Sequence, residues 1–123
     1  MAATPREVVI AWTDEVWNKG RVDLVPGLVA DPCPRHDPGK FEMMTLAHNL
    51  ERINGARARF PGIHFTNEDL VVDGDRVAAR WTMRYTDPAS GEARVVTGVE
   101  MFRVAEGKIV ETWNSAAGNA AWG

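Results

Sequence analysis

The chain has 123 residues, 45% of them hydrophobic, with five tryptophans and a formal net charge of −3, which suits one domain (1–123) built on one core. Basic side chains lie scattered among acids, no apolar run nears the roughly 20 residues that span a bilayer, and MAATPREVV lacks a secretory pattern, so neither nucleic-acid nor membrane partners are expected and a cytoplasmic location is. Cys33 is the one cysteine, which excludes an internal disulfide framework and a cysteine-rich zinc motif, and the three histidines suggest no metal site.

Residues 5 to about 19 read as a helix. Thr4 can cap it, Pro5 suits its first position, and Glu7 completes a capping box. Val9, Trp12, Val16 and Trp17 mark its apolar face, and Gly20 fits its end. A short helix over 22–29 follows, with Pro26-Gly27 inside it. ADPCPRHDPGK is too rich in proline for a helix and reads as an extended stretch with a turn at Asp37-Pro38-Gly39. A longer helix is predicted from Phe41 to Arg59, stopped by Pro61-Gly62.

Beyond that point the period changes to two. Strands are predicted over 63–72, 76–86, 95–104 and 108–114, joined at Asp73-Gly74-Asp75, at a wider loop over 87–91, and at Glu106-Gly107. Helices first and an antiparallel meander afterwards imply an α+β domain.

Alternation separates two faces on each strand. One reading groups Arg80, Thr82, Glu100, Phe102, Thr112 and Asn114 on the face turned toward the helices. The other face, with Val77, Ala79, Trp81, Met83, Val99, Met101 and Trp113, is then apolar and unpartnered, and a homodimer through the sheet is the simplest cover for it. Greasy walls with a few converging polar groups are what a small-molecule cavity requires.

Glu100 is the leading candidate residue, because a carboxyl in mid-sheet is costly to desolvate without a partner or a task. The competing reading is an ion pair with Arg80 that only sets register. Arg80 itself is a candidate for binding an anionic or carbonyl group. His36 and Asp37 are neighbours, so in an extended segment at most one reaches the cavity. His36 is favoured as proton acceptor, while Asp37-Pro38-Gly39 is equally understandable as a plain turn. Asn114 would orient a ligand oxygen or a water, or satisfy backbone at a strand end. Trp12, Trp17, Phe60 and Phe102 are expected as core and cavity wall; His48 and His64 are expected outside the site.

VWNKGRVDLV, RHDPG, RFPGIHFTNEDLV, GDRVAARWTMRYT and TGVEMFRVAEGKIVETWN together resemble the SnoaL-like polyketide cyclase family, over roughly residues 7–114. That family is part of the nuclear-transport-factor-two-like superfamily, with ketosteroid isomerase and scytalone dehydratase. The resemblance implies a cone-shaped α+β barrel: about three helices in a strongly curved antiparallel sheet, an internal apolar pocket, and dimerisation through the sheet. It also implies that Glu100 matches the acid with which ketosteroid isomerase hydrogen-bonds an enolate, that Asp37 lies near that enzyme's base with His36 beside it, and that Thr13 replaces its oxyanion tyrosine. Asn114 stands where the cyclases carry an acid/base aspartate, and an amide cannot exchange a proton at neutral pH.

The expected function is therefore a cofactor-free enzyme that isomerises, cyclises or dehydrates a small apolar carbonyl metabolite. His36 or Asp37 would take the proton, and Glu100, Arg80 and Asn114 would hold the oxyanion. The alternatives are a non-catalytic binding or dimerising module, which the Asn114 and Thr13 departures favour, and an epoxide hydrolase, which needs an aspartate–arginine–aspartate set.

Overall fold

The computed structural model describes residues 2–123. Thr4 caps the first helix as its sequence predicts. Its hydroxyl accepts from the Glu7 amide at 3.2 Å, and the Glu7 carboxylate accepts from the Thr4 amide at 2.9 Å. Helix α1 (Pro5–Ala11) then runs directly into a π-helical stretch, Trp12–Asn18. A π ladder bonds residue i to i+5 and so brings residues five apart to one side. Trp12 and Trp17 accordingly meet edge to face at 6.3 Å. Gly20 ends the helix at φ 75°, where a side chain would be strained and would also strike the Arg57 guanidinium. Arg57 donates to the free carbonyls of Trp17 and Asn18.

A single 3₁₀ turn, Val22–Leu24, leads into α2 (Val25–Leu28), where Pro26 sits in the first turn and removes no helical hydrogen bond. The predicted extended stretch is strand β1 (Cys33–Asp37). After it the sequence reading needs correction, because the long helix does not begin at Phe41. Residues Lys40–Met44 form strand β2, which pairs antiparallel with β1, and α3 spans Leu46–Arg59. The run FEMM, with one glutamate among three apolar residues, fits a two-residue period as well as a helical one. The true helix start is marked by Thr45, whose hydroxyl accepts from the His48 amide at 3.2 Å, and by Asp31, which accepts from the Leu46 amide at 2.9 Å.

The remaining strands are β3 (His64–Asp73), β4 (Arg76–Thr86), β5 (Ala93–Ala105) and β6 (Lys108–Gly118). They form one sheet in the order β2-β1-β6-β5-β4-β3. The expected α+β architecture holds. In detail the sheet is mixed and open rather than an antiparallel barrel: β1 runs parallel to β6, matching Arg35 with Thr112 and His36 with Trp113. The helices cover the inner face, and Val8, Val16, Ile53, Val77, Phe102 and Ile109 form the centre of the core.

Register corrects the predicted faces. β4 pairs with β5 so that Ala79 lies opposite Glu100 and Arg80 opposite Val99. Ala79, Trp81 and Met83 therefore share the inner face with Glu100 and Phe102, whereas Arg80 and Thr82 share the outer face with Val99 and Met101. The chain end crosses this outer face: Thr97 donates to the Ala120 carbonyl at 2.9 Å, and the Trp122 indole donates to the Trp81 carbonyl at 3.1 Å.

Gly98 is the tightest point of the sheet. It faces inward beneath the Trp81 ring, and a Cβ there would stand 2.5 Å from both that ring and the Ser115 carbonyl oxygen. Gly98→Ala is expected to cost about 1–3 kcal/mol, the range for overpacking a core, and to alter the near-ultraviolet circular dichroism of Trp81. Denaturant unfolding checks this; a variant as stable as the parent would show that Trp81 moves aside freely.

Candidate active site

A cavity of about 150 Å³ lies between the inner face of the sheet and the helices. Its apolar wall includes Trp12, Trp17, Phe65, Met83 and Phe102. The π-helical stretch supplies the two tryptophans and also Thr13, which accepts from the Asn67 amide at 3.0 Å. The other polar groups on the wall are Arg35 of β1, Arg52 of α3, the Trp81 indole of β4, Glu100 of β5 and Asn114 of β6.

Glu100 stands between Ala79 and Asn114 on the neighbouring strands. Burial pushes its carboxyl up to about 7, against the opposing pull of Arg35 and then Arg52, with Asp37 adding a smaller push in the same direction. Arg35 Nη1 lies 4.0 Å from the Glu100 carboxylate, and both side chains are only 17% exposed. Arg35 is shared, because its Nε and Nη2 also donate to Asp37 at 3.3 and 3.4 Å. Asp37, Arg35 and Glu100 thus form an acid–guanidinium–acid series.

Arg52 is held differently. Its guanidinium lies over the Trp17 ring at 5.3 Å, and one nitrogen donates to the Asn49 side chain at 3.2 Å. Burial, followed by the like charge of Arg35, brings it down to about 10, still cationic at neutral pH. Its Nε is sealed from solvent and has no partner, and the same is true of Trp81 Nε1 and Asn114 Oδ1. Two donors and one acceptor, each on a residue that lines the hollow, therefore stand unsatisfied among the described residues, at a cost of about 1–3 kcal/mol each. Cys33, deeper in, is pushed up to about 11 by burial first and by Glu111 and Glu100 next, which keeps it a thiol.

The structure brings together Trp12, Trp17, Phe102, Glu100 and Asn114 among the residues singled out from sequence. It separates the others. Arg80 donates to Asp69 at 2.8 and 2.5 Å and packs over Trp122, outside the cavity. Thr82, also on the outer side, donates to Glu68 at 2.8 Å. His36 stacks on Trp113 at 5.2 Å and bonds Glu111 at 2.7 Å on the outer face, while Asp37 reaches the site through Arg35. Phe60 packs on Tyr85 at 4.7 Å, away from the cavity wall. Arg35, Arg52, Asn67 and the Trp81 indole were missed. Arg35 was discoverable, since two residues before Asp37 on a strand means the same face.

The SnoaL-like domain family model matches residues 9–112. The chain belongs to the SnoaL-like domain family. Among solved structures it is similar to IdmH of Streptomyces antibioticus, a candidate polyketide cyclase, with TM-score 0.81 and 26% identity over 93% of this chain and 92% of that one. A SnoaL-like polyketide cyclase from Agrobacterium tumefaciens gives 0.79 and 21% over 94% and 92%. AclR of Streptomyces galilaeus, a candidate hydroxylase, gives 0.78 and 18% over 92% and 88%. No curated protein matches. Among the described residues, no helix of this SnoaL-like domain is long and apolar enough to cross a membrane.

The buried carboxyl predicts a pH signature. Between the ordinary carboxylate pKa of 4.5 and about 7, the folded state holds a proton on Glu100 that the unfolded state has lost. Its contribution to stability is therefore fully present below pH 4.5, falls as pH rises through that window, and is gone above it. Glu100→Gln should remove this component, so that the stability of the variant relative to the parent rises between pH 4.5 and 8 by on the order of 3 kcal/mol. Unfolding titrations across that range check the difference; parallel curves would place the carboxyl in water.

Proposed function

We propose that the protein is a cofactor-free acid/base enzyme that moves a proton beside the carbonyl of a small, mostly apolar molecule, with Glu100 as the group that carries the proton. The observation that supports this most is a buried carboxyl drawn toward neutrality on the wall of a cavity that is also lined by Arg52 and Trp81. A shuttle works best when its pKa lies near the working pH. The Glu100 carboxylate takes a proton from the carbon beside the carbonyl. The negative charge passes to the carbonyl oxygen, where the Arg52 guanidinium or the Trp81 N–H receives it. The proton then returns from Glu100 to another carbon, or to a leaving hydroxyl, so no external oxidant or reductant is consumed. This assignment replaces His36 with Glu100 as the base and Arg80 with Arg52 and Trp81 as the oxyanion partners.

The acid–guanidinium–acid series favours one second reading, hydration of an epoxide. Water would attack a ring carbon as its bond to the epoxide oxygen breaks, giving a proton to ion-paired Asp37, while neutral Glu100 protonates the released oxygen and Arg35 holds both acids. We further propose a homodimer through the outer face, where Phe41, Met43, Val99 and Met101 are 58%, 53%, 48% and 39% exposed.

Solvent deuterium incorporation into cyclohexanone, followed by NMR, tests the first reading. The protein should accelerate exchange with a pH dependence centred near 7, and Glu100→Gln should lower the rate by about 10²–10⁴-fold. Asp37→Asn should leave that rate largely intact and instead abolish any hydration of styrene oxide. Equal exchange rates for the parent and Glu100→Gln would defeat the proposal.

A further inference from the structure

The cavity has a charge imbalance that proton shuttling alone does not require. Arg35 is matched by Asp37 at 3.3 Å, and Lys40 and Glu42 satisfy each other at 2.7 Å. Among the described residues Arg52 makes no ion pair: it donates to the Asn49 side chain and lies over the face of Trp17, with Glu100, Asp37 and Glu42 acting on it only at longer range. The group formed by Arg35, Asp37, Arg52 and Glu100 carries one net positive charge while Glu100 is protonated and none once it is ionised. A buried guanidinium donates most strongly to an anionic oxygen, and the Nε of Arg52 is closed to water and unused. The Trp81 indole N–H is a second unused donor on the same wall.

Size adds a separate limit. A cavity of about 150 Å³ is comparable to an engineered protein cavity of roughly 150 Å³ that holds a single benzene ring. Fused multi-ring compounds exceed it.

We propose that the cavity takes a small carboxylic acid, no larger than one ring with short substituents, with its carboxylate held at the Arg52 guanidinium and a further oxygen met by the Trp81 indole N–H. Trp17 fixes the plane of the guanidinium on the cavity wall, and Trp12, Phe65 and Phe102 receive the apolar part. The proposal rests on reading the cavity as the reaction site, and it narrows the substrate from a carbonyl compound to one that also carries an acid group.

Benzoate and its uncharged isostere benzamide test it, with binding followed by calorimetry and by quenching of tryptophan fluorescence. The parent should bind benzoate at least about tenfold more tightly than benzamide, as a charge-assisted contact to a buried guanidinium predicts. Arg52→Gln should erase that preference, and Arg52→Lys, which keeps the charge but not the Nε donor, should retain part of it. Trp81→Phe should weaken 3-hydroxybenzoate, which carries a further oxygen, more than it weakens benzoate, and 2-anthracenecarboxylate should bind more weakly than benzoate. Equal affinities for benzoate and benzamide in the parent would overturn the proposal, and so would no binding of either or a preference that survives in Arg52→Gln. Glu100→Gln separates the two ideas. A variant that loses deuterium exchange yet keeps the benzoate preference supports both, and one that keeps exchange unchanged refutes proton shuttling by Glu100 while leaving the anion subsite standing.

Discussion

The site rests on a contest over one proton. Removal from water drives the Glu100 carboxyl toward its neutral form, and two guanidiniums pull it toward the charged one. Neither wins outright, because each arginine is partly committed elsewhere: Arg35 to Asp37, and Arg52 to Asn49 and the face of Trp17. A full, short, two-pronged ion pair would have locked the carboxylate in its ionised state. At 4.0 Å the nearer guanidinium is close enough to lower the pKa and too far to hold the charge fixed.

The fold exists in a form that permits this balance. Strand β5 places Glu100 in mid-sheet, where the backbone is paired on both sides and the residue lines the cavity. The parallel contact between β1 and β6 carries Arg35 to the same face, and α3 lowers Arg52 over it from the helical side. Three elements distant in sequence thus deliver one acid and two cations. The glycine at position 98 lets the Trp81 ring lie flat against the sheet and sets the floor of the hollow.

Much of this was legible from residues alone, with a pattern to the failures. The capping box, the turn glycines and the alternation within each strand depend on neighbours in the chain, and they read correctly. Which strand faces pair across a loop does not. The loop between β4 and β5 sets Thr86 opposite Ala93, and that register alone sends Arg80 outward while Glu100 points in; one residue more or less would reverse it. The first hairpin reads as helix from sequence because FEMM satisfies either period over so short a stretch. Arg52 was invisible for a further reason. On a helix of mixed polarity nothing distinguishes an arginine turned inward from one in water, and only the packing of Trp17 against it reveals the difference.

The π-helical stretch has a wider consequence. Deleting one residue between 12 and 18 would restore an ordinary α ladder and rotate the following side chains by about 100°, carrying the second indole off the cavity wall. The volume available to a guest would then change in one step, with no alteration to the strands that bear the acid and its partners. A domain built this way can retune what it admits through the length of a single helical turn.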